Sequence, residues 1–132
     1  MTLNIEILES SFEQIKANSD NFAIAFYQNL FTDYPELKPL FDNTDMEKQG
    51  KKLFYSLVLV VENVRNPELL KKALQELGKR HTKYQVLPNH YSLVGNSLLK
   101  TLEYYLGYKW TPEVKQAWND AYQTISNIML AS

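Results

Sequence analysis

Two short strings, Asn66-Pro67-Glu68 and Thr111-Pro112-Glu113, constrain the fold of this chain more than any other feature. Each sets a side-chain acceptor, a proline and an acid in that order. A helix start calls for this order. The acceptor takes a free backbone N–H, the proline lacks an N–H where none is needed, and the acid meets the positive end of the helix dipole. Apolar residues then recur every three or four positions. After Pro67 they are Leu70, Leu74 and Leu77, and His81 falls on the same stripe. After Pro112 they are Val114, Ala117 with Trp118, Ala121 with Tyr122, Ile125, and Ile128 with Met129. No stretch alternates convincingly with the two-residue period of a strand, so the spacing predicts an all-α fold.

The same reading extends along the chain. Ile5, Leu8, Phe12 and Ile15 predict a first helix within residues 3–17. The polar string after it offers caps for a second helix, with Phe22, Phe26 and Leu30 on its stripe and Phe31 beside it. Pro35 and Pro39, in YPELKPLF, fit a short helical turn and a corner. A third helix carries Leu53, Leu57, Val60 and Val61. Phe54, Val58 and Leu59 lie around its other sides, so it should be covered on most faces. LPNHY opens another helix, with Tyr91, Val94, Leu98 and Leu102 on one face and Gly107 as its stop. The total is about six substantial helices plus a short turn.

A length of 132 residues suits one domain, and residues 1–132 are read as one. Fourteen basic and fifteen acidic residues leave a net charge of −1. Read as evenly mixed, they offer neither a nucleic-acid footprint nor a polybasic membrane patch. The absence of cysteine excludes disulfides, thiolate catalysis, zinc–thiolate sites and thioether-linked haem. The longest apolar run, LVLVV, is far too short to cross a bilayer, and the acidic N-terminus lacks a long apolar segment. The expectation is a soluble, cytoplasmic protein.

The chemistry open to such a chain is narrow. It has two histidines, no G-x-S-x-G string, no H-E-x-x-H string, no EF-hand loop and no glycine-rich phosphate loop. His81 therefore draws attention. An imidazole on an aliphatic stripe hydrogen-bonds, titrates or binds a metal. One reading is a satisfied core histidine. The other is the axial ligand of a haem, for which the protein need supply one imidazole, an apolar slot and a few oriented donors.

The strings FYQNLFTDYPELKPLF (26–41), QGKKL (49–53), GKRHTKYQV (78–86), HYSLVGNSLL (90–99) and AWNDAY (117–122) occur in this order within residues 22–129. Together they resemble the bacterial single-domain globins, related to the haem domain of flavohaemoglobins and to the Vitreoscilla-type haemoglobins. The resemblance implies a globin fold, a 3-on-3 helical sandwich around haem b. It implies that His81 is the proximal iron ligand and that Phe41 stacks on the haem. Tyr27 and Gln49 would face the ligand on the distal side, with Leu53 one turn on as an apolar wall. Tyr91 matches a tyrosine that touches the proximal histidine. Leu77 and Val94 would line the pocket, Tyr84 and Val86 the corner after the proximal helix, and Lys52 and Arg80 would lie near the haem propionates. The resemblance also gives Gly50 a reason, since the second and distal helices of globins cross closely and Ala23 is placed to meet it.

The implied function is reversible binding of dioxygen at a pentacoordinate ferrous iron. A bound diatomic carries partial negative charge, so donors in a dry pocket stabilise it by ~1–3 kcal/mol each. Gln49 coordinates iron poorly and should leave the sixth position open. Oxygen transport is one outcome. Nitric oxide detoxification by dioxygenation is another, with an external reductase restoring the ferrous iron. Small diatomic ligands and that reductase are the expected partners, without nucleic acid or membrane, in a monomer or weak homodimer. The alternative is a haem-free globin-like regulatory module. The chain departs from flavohaemoglobins in two respects. It ends at Ser132 without the glutamate that completes their His–Tyr–Glu network, and it shows no flavin or nicotinamide motif.

Overall fold

The computed structural model describes residues 4–83 and 88–130, apart from the side chains of residues 80–83 and 88. Six α-helices account for most of them: α1 (Ile5–Lys16), α2 (Ser19–Asp33), α3 (Met46–Asn63), α4 (Pro67–Lys83), α5 (Pro88–Leu106) and α6 (Pro112–Leu130). A 3-10 helix, Pro35–Phe41, joins α2 to α3, and a shorter one, Gly107–Lys109, joins α5 to α6. No strand occurs among the described residues. The helix starts act as their sequences dictate. Asn66 Oδ1 accepts from the Leu69 N–H at 3.4 Å, Thr111 Oγ1 from the Val114 N–H at 3.2 Å, and Asp45 Oδ1 from Glu47 and Lys48. Asn18 differs from expectation. It holds the cap position of α2, but its side chain makes no capping hydrogen bond.

The apolar stripes become the core. Leu8, Phe12 and Ile15 of α1, Phe22, Phe26 and Leu30 of α2, Leu74 of α4 and Leu102 of α5 are all essentially sealed from solvent. Phe12 stacks on Phe54 at 5.4 Å, and the Trp118 indole N–H donates to Ser11 Oγ at 2.9 Å, so α1 is tied to both α3 and α6. Helices α1, α3 and α4 form one layer over α2, α5 and α6, the three-over-three arrangement that the resemblance implies. The main crossings between the layers are α2 on α3 and α4 on α6.

Small residues set both crossings. A Cβ added at Gly50 would stand 3.1 Å from the Ala23 Cβ, tighter than ordinary contact. A Cβ at Gly78 would lie against the Met129 carbonyl oxygen and 2.9 Å from its Cα. A helix backbone cannot move aside as a flexible side chain can. Gly78→Ala is therefore expected to lower stability by about 1–3 kcal/mol, although alanine is the better helix former by ~1 kcal/mol. Urea unfolding measures this, and an unchanged or higher midpoint would mean that α4 does not rest on α6 at Gly78.

Candidate functional site

The α2–α3 crossing decides what meets on one side of the layer. Ala23 touches Gly50. Tyr27 lies one turn after Ala23, and Gln49 is the residue before Gly50. The crossing thus brings their side chains together, and the Gln49 amide N–H donates to the Tyr27 hydroxyl at 3.2 Å. A phenol oxygen that accepts in this way keeps its own O–H proton to give. Among the described residues no acceptor takes that proton.

Aromatic rings hold the phenol in place. The Tyr27 ring meets Phe26 edge-on at 4.9 Å and Phe41 at 5.6 Å, and lies 5.9 Å from Phe31. Phe31 and Phe41 meet edge-on at 5.4 Å. Phe41 ends the 3-10 helix, so the corner that Pro35 and Pro39 build carries it beside Tyr27. The sequence reading placed Phe31 only beside the stripe. Its position one turn after Tyr27 is the signal that finds it.

Burial pushes the Tyr27 phenol up to about 12, against the smaller opposing pull of the Gln49 hydrogen bond. It is therefore a neutral donor throughout the physiological range. The raised value also links stability to pH. A phenol whose folded pKa lies above its unfolded value near 10 contributes fully below pH 10. That contribution is lost as pH rises from about 10 towards 12, up to ~3 kcal/mol in all. Urea midpoints should stay level to about pH 9.5 and then fall, and Tyr27→Phe should fall less steeply over that window. Equal slopes in the two proteins would contradict a buried phenol at this position.

Helix α3 packs on α2, α4 packs on α6, and the two pack on each other, while neither packs broadly on α5 among the described residues. Leu53 of α3, Leu77 of α4 and Val94 of α5 are each only half-buried, though all three adjoin the core. Lys52 is exposed beside Leu53. Tyr91 is buried in the first turn of α5, and the Tyr122 hydroxyl donates to the Tyr91 carbonyl at 2.6 Å with the Tyr122 ring beside Gly95. This tie between α5 and α6 went unread in the sequence, because it spans two distant helices and ends on a backbone atom. His81 and Arg80 belong to α4, where the helix register continues from Leu70, Leu74 and Leu77, but their side chains lie outside the described residues, as do Tyr84 and Val86 altogether.

A haem suits this arrangement on its donor set. The Tyr27 phenol, whose proton has no acceptor among the described residues, sits among aromatic rings. Neither α3 nor α4 closes on α5, and each of the three leaves an aliphatic residue half-covered. Register puts an imidazole on the fourth helix. A flat apolar group would complete that burial.

The Globin family profile matches residues 24–129. The chain is similar to the flavohemoproteins of Vibrio cholerae, 28% identical over 129 residues covering 96% of this chain and 33% of the relative, and of Bacillus subtilis, 27% identical over 128 residues covering 96% and 32%. The flavohemoprotein of Deinococcus radiodurans is 29% identical over 126 residues, 94% of this chain and 31% of the relative. The chain spans about a third of the length of these curated relatives.

Proposed function

Since the chain belongs to the globin family, a family of haem-binding folds, we propose that it holds haem b and binds dioxygen reversibly at a pentacoordinate ferrous iron. The observation that supports this reading best is the 3.2 Å Gln49–Tyr27 hydrogen bond, which leaves the phenol proton free to meet a ligand. Haem, when bound, supplies a ferrous iron with one open position for a diatomic gas.

The chain's own residues do the rest. His81 would hold the group through its iron, and Tyr91 would support that imidazole. Phe41 would lie against the ring, Leu53, Leu77 and Val94 along its apolar edges, and Tyr84 and Val86 at the corner after α4. Lys52 and Arg80 would meet the propionates. On the ligand side Tyr27 would donate its O–H to a bound gas. Gln49 keeps the phenol oriented and, as a poor ligand for iron, leaves the gas position open. The Phe26, Phe31 and Phe41 rings exclude water, which strengthens the hydrogen bond.

Slow release of dioxygen favours storage and transport. It also favours conversion of dioxygen and nitric oxide to nitrate where a separate reductase returns the iron to the ferrous state. The haem-loaded ferrous protein, equilibrated with dioxygen and then mixed with nitric oxide under continuous reduction, tests this. Repeated nitrate formation marks a dioxygenase. Nitrate below one equivalent removes that activity and leaves carriage. Failure of the ferrous protein to take up dioxygen at all would overturn the proposal.

A further inference from the structure

Charge is balanced over the whole chain but not along it. Residues 48–83 hold nine of the fourteen Lys and Arg and three of the fifteen Asp and Glu. Before Lys48 the balance reverses, with nine acids against two bases. The cationic stretch is nearly all of α3, the turn after it and α4, the two helices that flank the candidate site in one layer. The mixing read from the total charge does not hold at this level.

Lys48, Lys51, Lys52, Lys71, Lys72 and Lys79 are all exposed. The Arg65 guanidinium is taken by Glu9 through hydrogen bonds of 2.8 and 3.1 Å, and Lys79 approaches Glu76 at 3.8 Å. Lys48, Lys51, Lys52, Lys71 and Lys72 have no carboxylate partner among the described residues. Two apolar side chains stand out among them. Tyr55 is 69% exposed one turn after Lys51 and Lys52, and Leu69 is 54% exposed just before Lys71 and Lys72. Tyr104 and Tyr108 are more exposed still, but Tyr55 and Leu69 lie within one turn of lysines that have no carboxylate partner among the described residues, and an apolar spot rimmed by charge is how a protein interface is built.

We infer that the α3–α4 face docks an acidic redox protein, whose carboxylates meet these lysines while an apolar spot covers Tyr55. Two propionates would offset only two of the six excess positive charges on residues 48–83. A compact acidic protein fits better than nucleic acid. The unpaired cations among the described residues are lysines, not the forked guanidiniums that grip phosphates. The redox character of the partner rests on the haem reading: one electron leaves the partner's reduced flavin or iron–sulfur centre, which is oxidised, and ferric iron becomes ferrous. The acidic docking itself does not need that reading.

Binding is measured on the full chain, with and without haem, against an immobilised strongly acidic [2Fe–2S] ferredoxin, a basic cytochrome c and a DNA duplex. Ferredoxin should bind with an affinity that falls steeply with salt. The Lys48→Glu/Lys51→Glu/Lys72→Glu variant should bind it at least about tenfold more weakly with unchanged helix content, as should Tyr55→Ser to a smaller degree. Lys109→Glu, outside this stretch, should bind as the parent does. An unchanged affinity in the charge-reversed variant, equal binding of cytochrome c, or tighter binding of DNA overturns the inference. A chain that takes up no haem yet still binds ferredoxin upholds the docking face and sinks only the haem reading. Haem-loaded protein that does not bind it sinks the docking face alone.

Discussion

Replacing His81 by Ala abolishes stable haem retention and leaves the helices in place. The expectation follows from what holds α4. Leu70 and Leu74 are buried, and Gly78 brings the helix against the Met129 backbone, so its position does not depend on the imidazole three residues later. What the substitution removes is the axial bond. Loss of a contact that merely supports a metal ligand costs ~10–100-fold in affinity, and loss of the ligand itself should exceed that. The rate of haem transfer to an excess of a competing apoprotein measures it, with far-UV circular dichroism reporting the fold. A His81→Gly variant adds a sharper readout, since free imidazole should enter the vacated space and restore the absorption spectrum. Haem held as tightly without the imidazole would show that another residue ligates it.

Tyr27→Phe speeds dioxygen release by about tenfold, the equivalent of one ~1.4 kcal/mol hydrogen bond. The substitution isolates the hydroxyl. Phenylalanine keeps the ring contacts to Phe26, Phe31 and Phe41, so the shape of the pocket persists while its donor goes. Association should change little. Carbon monoxide, which carries less charge on its outer atom, should leave at nearly the parental rate. Gln49→Leu should also hasten dioxygen release, and the double variant should fall short of the sum, because the amide acts partly by orienting the phenol. Stopped-flow displacement of dioxygen by carbon monoxide reads all three. An unchanged off-rate in Tyr27→Phe would clear the hydroxyl of any role.

The parts of this molecule legible in its sequence are those set by local physics. The Asn66 and Thr111 caps, each with a proline behind it, act within one turn, and the structure starts α4 and α6 there. The stripes through Leu8, Phe22 and Leu74 bury because helix register alone puts them on one face. The meeting of Ala23 with Gly50 was also foreseen, since the family pattern carries that long-range pairing. Features joining distant segments were not visible. Gly78 looked like one of four scattered glycines, and only the approach of α6, some fifty residues on, shows why a side chain is not tolerated there. The Tyr122–Tyr91 bond ends on a carbonyl, which has no signature in sequence. Asn18 shows the converse, a good capping residue whose side chain does not cap. Opposed totals of acid and base likewise hid the cationic α3–α4 face, since a net charge has no direction.

The central claim is that a porphyrin occupies the space among α3, α4 and α5. Titration of the apoprotein with haemin, followed from 350 to 700 nm, tests it most directly. The expected result is a sharp Soret band that saturates at one haem per chain and shifts on reduction to the spectrum of a five-coordinate ferrous centre. A broad band that never saturates, with no change on reduction beyond that of free haemin, would contradict it and leave a haem-free globin-like module in its place.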